Sequence, residues 1–297
     1  MAWPYKLRYW AVKLRCTLDF LRQKPPDSRR VAFHAMFKNE APYLSEWLDY
    51  HFSLGFDHAF LTNDQSEDHF EKVLKPYVTR GLVSLENART DLDFFTKEEW
   101  HKNEILQKAR KEYRWVAFLD TDEFIYLAQG DVKFFLADYA DKAGVTLNRF
   151  FYGTSGVESL GADDLLIEKM TRRFPDDYHE HRPVKTIAQS GKGLLFFNKN
   201  PHYPQYSPLA RLCRVDRSRF RPAEKKILRE PASINHYWYR SEEFYRKVKR
   251  PRRIFFEGAE RRPHIESWHY QEANKQPDDR LVKYAERLRK YRKDRNR

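Results

Sequence analysis

The segment WVAFLDTDEFIYL, Trp115 to Leu127, sets three carboxylates, Asp120, Asp122 and Glu123, directly behind a run apolar enough to be a buried strand. An unpaired carboxylate held away from water costs several kcal/mol, so a cation or hydrogen bonds must offset the charge. Alternate residues at a strand end point to the same side. Asp120 and Asp122 can therefore share one Mn2+ or Mg2+ ion, whose open positions take a diphosphate. Glu123 either faces solvent or pairs with a basic residue.

Positioning such a pair takes a sheet. From Val31 short apolar runs alternate with amphipathic stretches: VAFHAMF (31–37), a helix from Pro42 to Leu54, HAFLTN (58–63), a helix from about Glu67 to Thr79, LVSLEN (82–87), a helix-rich 95–113 and the strand WVAFLD (115–120). The alternation predicts a mainly parallel α/β sheet with helices on both faces, in which ligands bind beyond the carboxyl ends of the strands. Three of those ends are polar: Lys38-Asn39-Glu40, Asn63-Asp64 and Asp120-Thr121-Asp122. No P-loop and no GxGxxG follows the first strand, so a nucleotide's phosphates need another anchor, and a divalent metal is the obvious one. Residues 145–240 read as strands with long functional loops. The expected organisation is a basic amphipathic helix over 1–26, one catalytic domain over 27–240 and a basic helical extension over 241–297. In that extension Leu281, Val282, Ala285, Leu288 and Tyr291 share a helical face.

The 297-residue chain is 41% hydrophobic, with 22 Phe, 18 Tyr and 7 Trp, enough for a substantial core. Lys and Arg outnumber Asp and Glu by 56 to 43, and the net charge of +13 favours anionic partners. Cys16 and Cys213 form no CxxC pair, which excludes a disulfide framework and a thiolate zinc site and suits a reducing compartment. Lys6, Arg8, Lys13 and Arg15 interrupt the N-terminal stretch, so neither a spanning helix nor a signal-peptide core is expected, and the protein is read as cytoplasmic. Leu7, Trp10, Ala11, Leu14, Leu18 and Leu21 nevertheless recur there at helical spacing. That helix either packs on its own domain or, with Trp3, lies in an anionic membrane interface.

KNEAPYLSEWLDYHFSLGFDHAFLTND, the WVAFLDTDEF block, FYGTSG, KTI, NPHY and INHYW occur in the order seen in GT-A-fold glycosyltransferases of the family 2 and family 92 type. The chain resembles them from about 31 to 250. The resemblance implies a GT-A-like fold and transfer of a sugar from a nucleotide sugar to an acceptor hydroxyl, usually with inversion and a divalent metal. At matching positions it implies that Asn39 and Glu40 meet the nucleoside and that Asp64 lies beside the base or ribose, with Ser66 and Asp68 completing the polar turn. Asn103 and Asp120 join the nucleotide site, and His236 in INHYW reaches the metal or diphosphate with Asp120 and Asp122. Neutral imidazole is a good Mn2+ ligand. The family's glutamine five residues before Asn103 is replaced by Glu98, which reads as an exposed helix position. Glu158, Asp163 and Asp164 follow the GTSG turn, where this fold places acceptor-side residues, and a carboxylate there can take the acceptor's proton.

Each assignment has a structural counterpart. Glu40 can be a helix N-terminal charge beside Pro42, and Asp64 and Ser66 ordinary turn and capping residues. His236 and His202 can be hydrogen-bonded structural histidines, and His179 and His181 part of a surface loop. Arg211 and Lys185 either neutralise a leaving diphosphate or belong to a solvated basic face. The reading that uses most of these features is a metal-dependent inverting glycosyltransferase acting on a cell-surface glycan or lipid-linked precursor, in peripheral contact with the inner face of the membrane, with no nucleic acid partner. A metal-dependent nuclease or phosphoesterase would instead need two metals about 4 Å apart and no nucleoside residues. A basic protein that binds nucleic acid or lipid without catalysis would show steep salt dependence and indifference to Asp120 and Asp122.

Overall fold

The structure, a computed structural model, describes residues 3–250 and 270–295. The side chain of Trp3 and, in the expected C-terminal extension, residues 251–269 and 296–297 lie outside the described residues. In chain order the elements are α1 (Trp3–Arg22), β1 (Val31–Phe37), α2 (Ala41–Ser53), β2 (His58–Asn63), α3 (Phe70–Thr79), β3 (Val83–Asn87), α4 (Phe94–Ala109), β4 (Trp115–Phe118), β5 (Glu123–Leu127), α5 (Val132–Ala137), β6 (Gly144–Phe151), α6 (Leu166–Lys169), β7 (Arg172–Arg173), β8 (Val184–Gln189), β9 (Leu194–Leu195), β10 (Gln205–Tyr206), β11 (Leu212–Arg214) and β12 (Ala232–His236). The chain divides into two compact units. The first comprises Met1–Thr121, Leu127–Asn148 and Pro183–Ala232, and the second Asp122–Tyr126, Arg149–Arg182 and Ser233–Arg297.

In the first unit the strand order is β3-β2-β1-β4-β8-β6, with β11 beside β6. Strands β1 to β4 pair in parallel, and β8 runs antiparallel to both β4 and β6. This is the mainly parallel GT-A-like α/β sheet that the sequence predicts. Strand β2 and all of β1 but Met36 are buried, which is why they read as unbroken apolar runs rather than alternating ones. Pro42 opens α2, whose buried Leu44, Trp47, Leu48 and Phe52 recur at helical spacing. Asp93 caps α4 by accepting from Thr96 N at 3.3 Å and Thr96 Oγ1 at 2.6 Å.

Two boundaries differ from expectation for local reasons. Helix α3 starts at Phe70 rather than Glu67, because Asp68 accepts from Ala41 N at 2.8 Å and Ser66 Oγ from Asn39 N at 2.9 Å. Those bonds draw the residues before Phe70 into a loop. Strand β4 stops at Phe118, and a separate buried strand, β5, begins at Glu123.

Helix α1 packs on the first unit through a face other than the leucine face. Cys16 is buried, Lys13 Nζ donates to Tyr206 O at 2.8 Å, and Ser207 Oγ bonds Thr17 Oγ1 at 3.1 Å. Gly193 makes this approach possible: with φ of +62°, an added Cβ would lie 2.1 Å from Cys16 O and 2.7 Å from Phe20 N.

In the second unit β6 continues to Phe151 and pairs in parallel with β12, and β5 is the next strand after β12. Phe174, Tyr239 and Ala273 form its small apolar cluster, and Arg173 is buried between Asp278 at 2.6 Å and Asp176 at 2.7 Å. Near the C-terminus a short 3₁₀ turn over Val282–Tyr284 precedes the helix Ala285–Arg295. Its tighter winding turns Val282 outward and buries Tyr284 with Leu281, Ala285 and Leu288, so the single face drawn through Val282 is corrected.

Two buried histidines give this fold a pH signature. His34 on β1 contacts Thr62 Oγ1 at 3.1 Å, and His51 on α2 donates from Nδ1 to Trp47 O at 2.8 Å amid Phe33, Tyr50 and Phe56. Burial pushes both imidazoles down from 6.5 to about 3. Between those values the unfolded chain binds protons that the folded chain does not. Stability is therefore complete above about pH 6.5 and falls as the pH drops, by up to about 1.4 kcal/mol per pH unit for each histidine. The urea midpoint should decline from pH 6.5 to 5, above the carboxylate range, and His34→Gln with His51→Gln should make that slope shallower, leaving the part due to His181 and His58, which burial also pushes down. A flat wild-type profile there would contradict the buried placement.

Candidate functional site

The carboxyl ends of β1 and β2 in the first unit are joined by a polar network. Asn39, with φ of +54°, accepts from Glu67 N at 2.8 Å, Asn63 Oδ1 accepts from Ser66 N at 2.9 Å, and Asn63 Nδ2 donates to Asn87 Oδ1 at 3.0 Å. Ser66 and Asp68 hold backbone amides of the neighbouring loop, so the expected polar turn exists and is built from turn chemistry. Glu40 is buried at the start of α2, where its backbone oxygen accepts from Tyr43 N and Leu44 N while its side chain makes no cap.

Three lysine–carboxylate pairs follow, each with a buried ammonium. Lys97 Nζ meets Asp64 Oδ1 at 2.6 Å, Lys102 Nζ meets Glu98 Oε1 at 2.6 Å, and Lys185 Nζ meets Asp120 Oδ2 at 2.7 Å. Burial pushes the Lys102 ammonium down, Glu98 and Asp120 support it, and Lys185 opposes it, so Lys102, Lys185 and Asp120 interact as one charged group. Two expectations are corrected here. Glu98 is buried rather than an exposed helix position, because it pairs with a lysine one turn on. Lys185 is 3% exposed and belongs to no solvated face, whereas its partner Asp120 is 44% exposed and Arg211 is exposed. Asn103 is used locally: its amide donates to Phe196 O at 3.0 Å and accepts from Phe196 N at 2.8 Å.

In the second unit Asp122 is buried with two partners, His236 Nε2 at 3.2 Å from Oδ1 and Lys249 Nζ at 2.6 Å from Oδ2. Burial alone would raise the Asp122 carboxyl, but Lys249, His236 and Arg240 outweigh it and hold the group well below the usual carboxylate range. Strand β12 delivers His236, whose ring lies 4.4 Å from Phe151, and Tyr237 N donates to Asp122 O at 2.8 Å. His236 Nδ1 is buried with no hydrogen-bond partner among the described residues. Glu123, next in sequence, is fully buried against Arg149 at 3.3 Å, so of its two expected fates the ion pair holds.

Whether a divalent metal fits can be judged from this pair. Asp122 Oδ1 and His236 Nε2 have the spacing of two adjacent ligands about 2.1 Å from an octahedral ion. No group of three or more His, Cys, Asp or Glu side chains is gathered for a metal among the described residues. Two protein ligands, with the other positions left to phosphate oxygens and water, match how Mg2+ and Mn2+ sites are commonly built.

The loop after the GTSG turn carries the acceptor-side candidates, which sit near the surface. Exposed Glu158 pairs with Arg246, Asp164 pairs with Lys169 at 3.0 Å and accepts from Gly161 N at 2.9 Å, and Asp163 is exposed. The turn itself is held by Asn274, which accepts from Ser155 N at 2.6 Å, and by Glu242, which accepts from Thr154 Oγ1 at 2.6 Å and from Tyr270. His181 is buried, unlike the surface loop expected of it, while His179 is exposed. Sequence reasoning did not single out Lys97, Lys102, Lys249 or Glu242. The only available signal was the spacing of Glu98 and Lys102, one helical turn apart. A cavity of about 490 Å³ in the first unit lies at the amino ends of β1 and β4, by Val31 and Trp115.

A mainly parallel sheet with acids at its strand ends and no glycine-rich phosphate turn is consistent with the GT-A-like fold expected from the sequence. The family model for glycosyltransferase family 92 matches residues 31–280, and the chain belongs to that family. Among curated relatives, a glycosyltransferase family 92 protein of Arabidopsis thaliana is 23% identical over 72% of this chain and 36% of its own length. Galactan beta-1,4-galactosyltransferase GALS1 of Arabidopsis thaliana is 29% identical over 31% of this chain and 20% of its own. The chain thus spans about a third or less of the relatives it matches. Among solved structures, S. aureus TarS 1–349 in complex with UDP aligns with a TM-score of 0.35 at 17% identity, covering 54% of this chain and 47% of that one. Glucosyl-3-phosphoglycerate synthase from Mycobacterium tuberculosis, with Mn2+, UDP and glucosyl-3-phosphoglycerate, aligns with a TM-score of 0.25 at 12% identity over 48% of this chain and 47% of that one.

The contrast between Asp120 and Asp122 is measurable without substrate. Lys249→Met strands a buried carboxylate and should lower stability by about 3–5 kcal/mol, whereas Lys185→Met leaves a carboxylate that is 44% exposed and should cost about 1 kcal/mol or less. Adding Asp122→Asn to Lys249→Met should recover most of the loss in urea unfolding. Equal losses in the two lysine variants would contradict the burial difference.

Proposed function

We propose that the protein moves a sugar from a nucleotide-sugar donor to a hydroxyl of a cell-surface glycan or lipid-linked precursor, with inversion and with Mn2+ or Mg2+ bound, in the cytoplasm. Its membership of glycosyltransferase family 92 supports transfer over the nuclease and binding-protein readings. The observation that carries the metal is the buried Asp122–His236 pair with its ligand-like spacing. Asp122 and His236 hold the ion, which when bound offsets charge on the departing diphosphate.

Asn39, Glu40 and Asp64 serve the nucleoside, Asn103 supports the pocket through Phe196, and Asp120 serves the ribose and phosphate side of the donor. Lys102 and Lys185, buried beside Asp120, are fixed positive charges suited to a diphosphate, because preorganised charge needs no rearrangement as negative charge develops. The acceptor's proton passes to a carboxylate of the loop that holds Glu158, Asp163 and Asp164.

The test is a thermal-shift panel of nucleoside diphosphates with Mn2+ and with chelator. One nucleotide should raise the midpoint, in proportion to the logarithm of its concentration, only with metal present. Asp122→Ala should abolish donor hydrolysis and transfer while the chain stays folded, and His236→Ala should weaken Mn2+ dependence by at least about tenfold. Equal nucleotide affinity with Mn2+ and with chelator would contradict the metal assignment.

A further inference from the structure

Helix α1 is fastened to the first unit by Cys16, Lys13 and Thr17, and it turns a different face outward. On that face Leu7, Trp10, Leu14 and Leu21 are 57, 66, 61 and 66% exposed, and Leu18 is 40% exposed. At about 100° per residue the five side chains fall within an arc of about 80° and form a stripe about 21 Å long. Arg8, Arg15 and Arg22, seven residues apart and all exposed, fall along one edge of it. A contiguous apolar strip of this kind marks an interaction surface rather than scattered exposed side chains.

The chemistry selects the occupant. Leucines and a tryptophan beside a row of guanidinium groups match the boundary of an anionic bilayer, where the apolar side chains enter the acyl region and the arginines reach lipid phosphates. A second copy would bring another net charge of +13 against the same arginine row. No helix among the described residues is long and apolar enough to cross a membrane, so contact through α1 is interfacial.

We propose that α1 is a peripheral membrane anchor that lays its Leu7 to Leu21 stripe on an anionic lipid surface while its inner face stays docked on the protein. The proposal is independent of the sugar-transfer reading, because it rests on α1 and the first unit alone.

The experiment is flotation of the full chain with vesicles of phosphatidylcholine, with and without phosphatidylglycerol, over a range of salt. Binding should require phosphatidylglycerol and weaken as salt rises. Trp10→Ser with Leu14→Ser should lower the bound-to-free ratio at least about tenfold by removing apolar contact. The triple change Arg8→Gln, Arg15→Gln, Arg22→Gln should remove most of the salt dependence and keeps the proposal testable should the first variant fail to fold. Equal binding to both vesicle types, or anionic binding that the substitutions leave unchanged, would overturn it. So would a dimer in sedimentation that fails to float and that Trp10→Ser with Leu14→Ser dissociates, since the stripe would then belong to a second copy.

Discussion

Compensation of buried negative charge is the constraint on which the rest of this structure depends. The strand ends gather carboxylates, and a carboxylate cannot sit in an apolar surrounding without a cation. The chain answers with resident ammonium and guanidinium groups. In the first unit Asp64, Glu98 and Asp120 each take a lysine, and in the second Asp122 takes Lys249 with His236, and Glu123 takes Arg149. The excess of Lys and Arg in the sequence is thus partly structural, since several of these cations are buried.

The same compensation fixes cations in place, since a lysine buried against a half-exposed acid, as at Asp120, holds its charge at one position. At Asp122 one carboxylate oxygen is held by Lys249, and the other faces His236 at 3.2 Å.

Much of the fold was legible because its signals are local. The apolar runs 31–37, 58–63 and 82–87 became β1, β2 and β3, with boundaries within a residue of those expected; β1 and β2, covered on both faces, have no polar alternation to blur them, whereas in the edge strand β3 only Val83 is buried. What failed to read was long-range pairing. Nothing local distinguishes Lys97, Lys102 and Lys185, which are buried, or Lys249, which is partly buried, from the solvated lysines around them, and Glu98 looked exposed because its partner's burial is a tertiary fact. Helix α1 shows the limit most plainly. Its leucine face was legible, yet it lies outward, because Gly193 and Tyr206 dock the helix through Cys16 and Lys13.

The most direct measurement of the central claim is the electron paramagnetic resonance signal of free Mn2+ during titration of the full chain with saturating nucleoside diphosphate. The account predicts that Mn2+ binds in a tight complex with the nucleotide, and that Asp122→Asn releases that metal while the fold persists. Mn2+ bound as tightly by Asp122→Asn as by the wild-type chain would contradict it.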